Sequence, residues 1–248
     1  MYDDIFLPPV LTIFPSAFCV SLLCHKRLAM LSSEIRHLIL KDIKLELRQR
    51  YAFNGILLYV ISTVFVCFLS FSTIIDLPAW NALFWIIMLF AAVNAVSKSF
   101  VQENISRQLY YYSLASPQGI ILAKIIYNFL LMTLLAALCL LAFIILMGSL
   151  ITNYMLFITA LLLGCFGFSS VLTLVAAIAS RTNNNFALIA ILSFPIVLPL
   201  MLILMKVTLS ALNQGSWVEN SHYAIALILI NAVVVVLSYI LFPYLWKD

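Results

Sequence analysis

The chain has 248 residues, of which 65% are hydrophobic and 9% charged, with a formal net charge of +4. An ordinary soluble domain is about 45–50% apolar and roughly a quarter charged, so too few polar side chains exist here to cover a soluble globule of this size. The composition points to an all-α polytopic membrane protein, because the apolar residues come in runs as long as a bilayer is thick.

Residues 1–30 read as an N-terminal extension. Pro8, Pro9 and Pro15 break its apolar run, and Asp3 and Asp4 stand where a secretion signal is basic. The expectation is that Met30 is the functional start or that the extension is an appendage; a seventh span here is compatible with the charge distribution. Residues 31–52, "LSSEIRHLILKDIKLELRQRY" in their core, place Leu31, Ile35, Leu38, Ile39, Ile43 and Leu47 on one helical stripe. Arg36, Lys41, Lys44 and Arg48 fall mostly elsewhere. This predicts an amphipathic helix lying in the cytoplasmic interface plane, with Glu46 and Arg50 at favourable i,i+4 spacing. Seven of the thirteen Lys/Arg residues lie between Lys26 and Arg50. They are interleaved with Glu34, Asp42 and Glu46 and lead into a membrane span, so they suit membrane lipid and not nucleic acid. An anchor that binds lipid and nothing else is the competing reading of this helix.

Residues 53–248 contain six runs of spanning length: Phe53–Ile75, Asn81–Phe100, Ala123–Gly148, Tyr154–Ser180, Phe186–Leu209 and Tyr223–Trp246. The links at 76–80 and 149–153 predict tight hairpins, whereas 101–122 and 210–222 are longer and more polar. With the N-terminal side cytoplasmic, twelve Lys/Arg fall inside and Lys206 alone outside. Cytoplasmic loops carry the basic excess, so both termini are expected in the cytoplasm.

Six glycines form no G-x-x-x-x-G-K-[ST] loop, and no Ser/His/acid or His-x-x-x-His pattern occurs. No catalytic residue or metal site is expected, and energy must come from a partner or an ion gradient. Lys98 and Lys206 sit near span ends where they can snorkel, which disfavours a proton path through membrane carboxylates. Inside the spans, Ser62, Thr63, Asn94, Ser169, Ser170, Thr173, Ser193 and Asn231 are expected to act mostly as interhelical glue. A substrate path lined by some of them is the other reading. Span four carries Gly164 and Gly167 among small residues, which permit close helix approach. Pro195 and Pro199 should kink or partly unwind span five, a place for gating. Cys67, Cys139 and Cys165 fall in apolar runs and read, like Cys19 and Cys24, as small hydrophobes. His25 and His37 read as surface groups. His222, beside Trp217 and Tyr223 at the outer mouth of span six, is either an aromatic-belt neighbour or a group that touches a haem-like ligand.

Glu103–Lys124 has a distinctive layout: an acidic residue after a span, a short amphipathic helix "ISRQLYYYSLAS", then Pro117, suited to the first turn of a new helix. It resembles the cytoplasmic coupling region of ABC-2 exporter permeases. "KDIKLELRQRYAFNGILLYV", "WNALFWIIMLFAAVNAVSKSFVQE", "RQLYYYSLASPQGIILAKIIYN" and "NNNFALIAILSFPIVLPLM" resemble the haem exporter protein B family, the membrane subunit of the cytochrome c maturation ABC complex. The resemblance runs from about Leu31 to Leu209. It implies a bacterial inner-membrane permease subunit that forms a homodimer and binds a cytoplasmic ABC ATPase. It further implies haem-handling membrane subunits and a periplasmic haem chaperone as partners, with ATP used by the partner and haem as cargo. In the segment 101–122 it assigns ATPase coupling to Glu103, Arg107, Gln108, Tyr110, Tyr111, Tyr112, Ser116 and Pro117. The family's haem-handling subunits carry a tryptophan-rich motif; Trp80, Trp85, Trp217 and Trp246 are dispersed here, so no directly bound cofactor is expected. The tyrosines of the coupling segment read equally as aromatic-belt anchors. Rival readings are an ABC-2 permease for another substrate, such as a lipid-linked glycan or drug, and a membrane scaffold without transport.

Overall fold

In the computed structural model, residues 35–46, 50–71, 76–101, 116–180 and 185–247 are described. They form seven helices: α1 (35–46), α2 (Arg50–Ser70), α3 (Leu77–Val101), α4 (Pro117–Met147), α5 (Tyr154–Ala179), α6 (Asn185–Leu212) and α7 (Trp217–Lys247). Five of them, α3 to α7, are long and apolar enough to cross a membrane; in α2 the apolar stretch Asn54–Ser70 is shorter. Among the described residues there is no strand. Residues 1–30, with the proposed start and the possible seventh span, lie outside the described residues.

The helix ends follow local chemistry. Ser116 caps α4: its side chain accepts from the Gly119 N–H at 3.2 Å, and Pro117 occupies the first turn, where its missing N–H costs nothing. The expected helix start at Pro117 is therefore observed, and it takes the last six residues of the predicted loop 101–122 into α4. Gly148 ends α4 with φ +80°, a conformation that disfavours a side chain. Asn153 caps α5 through Leu156 N–H at 3.2 Å.

The predicted loop 210–222 shrinks to four residues, 213–216, because both of its ends are coded for helix. Gln214 takes φ 59° and the Gly215 N–H reaches back to Ser210 O at 2.8 Å, the six-to-one bond of a Schellman motif, while the Gln214 N–H goes to Thr152 Oγ1 at 3.0 Å. Ser216 then accepts from Glu219 N–H at 3.4 Å, the Ser-x-x-Glu start of α7. Links this short force antiparallel neighbours. Residues 71–76 can stretch at most ~20 Å, well short of the ~31 Å length of α2. The bundle thus has an α1 end, where α4 begins and α5 finishes, and an opposite end, where α3, α5 and α7 begin.

Helix α5 is the centre. In its apolar span 78% of residues are buried, against 28% in α7. A Cβ at Gly164 would stand 2.7 Å from the Trp85 ring of α3 and 3.0 Å from Leu204 of α6. One at Gly167 would stand 2.7 Å from Leu200 of α6 and from Asn231 Oδ1 of α7. These two glycines are what let three helices close on α5 at once. Near the opposite end, Trp80, Phe84, Trp85, Phe143, Phe157 and Phe168 form an aromatic block joining α3, α4 and α5, with ring centroids 5.3 to 6.1 Å apart. Such edge-on contacts stabilise beyond the area they bury. Outward faces stay apolar, as with Leu58 and Val66 on α2, Ile145 on α4 and Val233 on α7.

The two glycines are not equivalent. At Gly167 the nearest atoms include the methyls of Leu200, the far end of a flexible side chain, whereas at Gly164 the nearest atom belongs to the rigid ring of Trp85, whose Nε1 is hydrogen-bonded to Thr208. Gly164→Ala is expected to cost about 1–3 kcal/mol by overpacking and Gly167→Ala less. Thermal unfolding of the two purified variants in the same detergent checks the order; equal midpoints would contradict it.

Candidate functional site at the α1 end of the bundle

Helix α1 keeps one face on the bundle and one face out. Leu38 and Ile43 of the predicted stripe pack against the core, while Arg36, His37 and Lys44 are exposed. Leu40 is exposed as well, which gives the outward side an apolar component among basic groups. Lys41 Nζ lies 3.1 Å from Asp42 Oδ1, a pairing of neighbours along the helix. Glu46 Oε2 accepts from the Tyr127 hydroxyl of α4 at 3.2 Å. This bond joins α1 to the first third of α4 across 81 positions of sequence, and an acceptor that carries charge strengthens it.

Helix α4 is in turn locked to α5 at the same level. Asn128 Nδ2 donates to Thr173 Oγ1 at 2.8 Å, and the Ser169 hydroxyl donates to Ile125 O at 2.6 Å. Asn128 is 1% exposed and its Oδ1 has no partner among the described residues. Turning the amide over would only move the orphan from oxygen to nitrogen. Lys124, one turn before Asn128 on the same face, is also buried at 4% exposure. Glu46, Tyr127, Asn128, Ser169 and Thr173 therefore make a polar stack running from α1 through α4 into the central helix.

Of the residues singled out from sequence, Ser116 and Pro117 stand at the head of this stack. Lys41, Asp42 and Glu46 lie in α1. Glu103, Arg107, Gln108, Tyr110, Tyr111 and Tyr112 lie outside the described residues, as does Arg48; Arg50 opens α2. Pro195 and Pro199 are both inside α6, which is helical without interruption from Asn185 to Leu212. Trp217 and His222 are exposed at the opposite end, His222 lying 3.9 Å from the Tyr223 ring, with Lys206 Nζ 5.8 Å from that ring on its α6 side. They are remote from the α1 end and belong to a separate surface.

The expectation that intramembrane amides and hydroxyls act mostly between helices needs correction. Ser62, Thr63, Ser170 and Ser193 bond to carbonyls three or four residues back in their own helices, a reach that short side chains satisfy locally. Ser169, Thr173 and Asn231 do bridge helices, Asn231 by donating to Leu163 O at 3.1 Å. Sequence reasoning passed over Tyr127, Asn128, Asn81 and Thr208. For Asn128 a signal existed: it follows Lys124 by four residues and so shares its helix face.

A bundle whose described residues are helical, with five spanning-length apolar helices and apolar outer faces, is a multi-pass membrane protein. The chain belongs to the CcmB protein family, whose model matches residues 33–244. That membership makes it a membrane component of cytochrome c maturation, within the haem-export ABC system. A comparison with curated proteins gave no match.

Removing the Tyr127 hydroxyl tests the first joint of the stack. Tyr127→Phe should loosen α1 by about 1.5 kcal/mol, the lower end of the usual net worth of a hydrogen bond to a charged group. Maleimide labelling of a Leu38→Cys reporter should then rise about tenfold; unchanged labelling would mean that the bond does not hold α1 in place.

Proposed function

We propose that this chain is the permease subunit that converts ATP hydrolysis by a cytoplasmic ABC partner into haem delivery and release of the haem-loaded periplasmic chaperone. It does so as a homodimer, alongside haem-handling membrane subunits. In this reading α2 is a sixth span, both termini are cytoplasmic, and the α1 end faces the nucleotide. The basic excess supports that sidedness, with twelve of thirteen Lys/Arg on the α1 side.

The observation that carries the proposal is the start of α4. A segment with Arg107 and three consecutive tyrosines, Tyr110, Tyr111 and Tyr112, leads in sequence into a capped, 31-residue helix, and that helix is hydrogen-bonded to both α1 and the central helix. A push on residues 103–116 therefore reaches α5 through polar joints within the first three turns. At its far end the same helix carries Phe143 of the aromatic block. A helix is stiff over this length, so displacement at one end is transmitted. For it to do work, the nucleotide state must bias two packings of the bundle.

Charge reversal at Arg107, or Glu103→Lys, should leave the protein in the membrane at normal level. It should lower cytochrome c yield by about tenfold or more and detach ATPase rate from the other subunits. Normal cytochrome c assembly in such variants would overturn the coupling role. A co-purified ATPase whose rate ignores this subunit altogether would favour a scaffold.

A further inference from the structure

The attachments of α6 are unevenly distributed along its length. Among the described residues, side-chain hydrogen bonds between α6 and its surroundings all fall in its last third. Asn81 Nδ2 of α3 donates to Met205 O at 2.8 Å, and Trp85 Nε1 donates to Thr208 Oγ1 at 2.9 Å. Thr208 Oγ1 stands 2.7 Å from both Asn81 Oδ1 and Leu204 O. Its single proton serves one acceptor at a time, and both lie within the same fully buried cluster. The helix terminus is held as well: Thr152 donates to Ala211 O at 2.7 Å and the Asn153 N–H to the same carbonyl at 3.0 Å. Leu200 and Leu204 fill the notches left by Gly167 and Gly164.

Before Leu200 the picture changes. From Leu188 to Pro199 only Ile189, Ser193 and Val197 are buried, one narrow stripe, while Phe194 and Leu198 are about half exposed and Ile191 more so. The boundary between the two regimes is where Pro195 and Pro199 stand. Each proline removes one backbone donor, which leaves the carbonyls of Ile191 and Pro195 without their i+4 partner. Two missing bonds one turn apart make this the softest place on the helix.

We infer that α6 is a two-part lever. Its Leu200–Leu212 part is a fixed post, pinned to α3 by the Asn81–Trp85–Thr208 cluster and to the 149–153 turn through Ala211 O, and its 188–199 part swings about Pro195 and Pro199 as the nucleotide state changes. This rests on the reading of the chain as a nucleotide-driven permease subunit. It adds that the opposite ends of α3 and α6 never separate during the cycle.

The test uses the whole complex, purified with its ATPase, with the five native cysteines replaced by alanine. Pulsed EPR distances are measured from Met155→Cys to Leu192→Cys and, separately, to Leu202→Cys, without nucleotide and in a trapped ATP state. The lever predicts that the 155–192 distance changes and the 155–202 distance does not. Equal changes in both, or a change only at 202, overturn it. Cross-linking Asn81→Cys to Thr208→Cys should preserve cytochrome c maturation, and loss of maturation on cross-linking, restored by reduction, also overturns it. Pro195→Ala with Pro199→Ala should lower maturation about tenfold at normal assembly and protein level; full activity counts against the lever. If nucleotide moves neither these distances nor a label placed in 103–115, the coupling reading itself fails and the lever with it. A label in 103–115 that responds while 192 stays still refutes the lever alone.

Discussion

Everything in this bundle depends on how closely other helices approach α5. Between helices in lipid there is little hydrophobic driving force, because the acyl chains are as apolar as the side chains. Association therefore rests on tight packing and a few hydrogen bonds. Gly164 and Gly167 supply the packing, since each lies where an added Cβ would collide with a neighbour. With those two notches filled by Trp85, Leu204, Leu200 and Asn231, helices α3, α6 and α7 are drawn against one central rod. Helix α4 completes the enclosure through Ser169 and Thr173.

The polar groups that remain are sorted by end. At the end where α3, α5 and α7 begin, Asn81, Trp85, Thr152, Asn153, Thr208 and Asn220 tie helices and turns to one another beside a block of buried rings. At the α1 end the described ties are Glu46 to Tyr127, Asn128 to Thr173, and Ser169 to Ile125. These connect α1, α4 and α5 and leave the first half of α6 attached by a narrow apolar stripe. A bundle rigid at one end and selectively joined at the other suits a subunit that receives force at one membrane face. Membership of the CcmB family places the chain in a haem-export ABC system.

Much of this was legible in the residues. Helix α4 starts at Pro117 as expected, because Pro lacks the donor that a first turn leaves unused and Ser116 supplies the cap. The start of α7 at Trp217 was equally written, in Ser216 and Glu219, but a hydropathy window favours the apolar Tyr223 onward and hides a capping box under polar composition. Ser62, Thr63, Ser170 and Ser193 were misread for a different reason. A hydroxyl inside a span has a carbonyl of its own helix always within reach, so its presence alone does not imply a bridge.

The number and length of the apolar runs, their polar boundaries and the lopsided placement of Lys and Arg were determined by the sequence itself. A bilayer requires about 20 apolar residues per crossing and answers to charge at the ends, and both are properties of a segment taken alone. Which faces meet was decided only in the tertiary structure. Nearly every face of these helices is apolar, so periodicity does not choose between lipid and protein. Only the assembled bundle pairs Tyr127 with Glu46 across 81 residues, or Trp85 with Thr208 across 123.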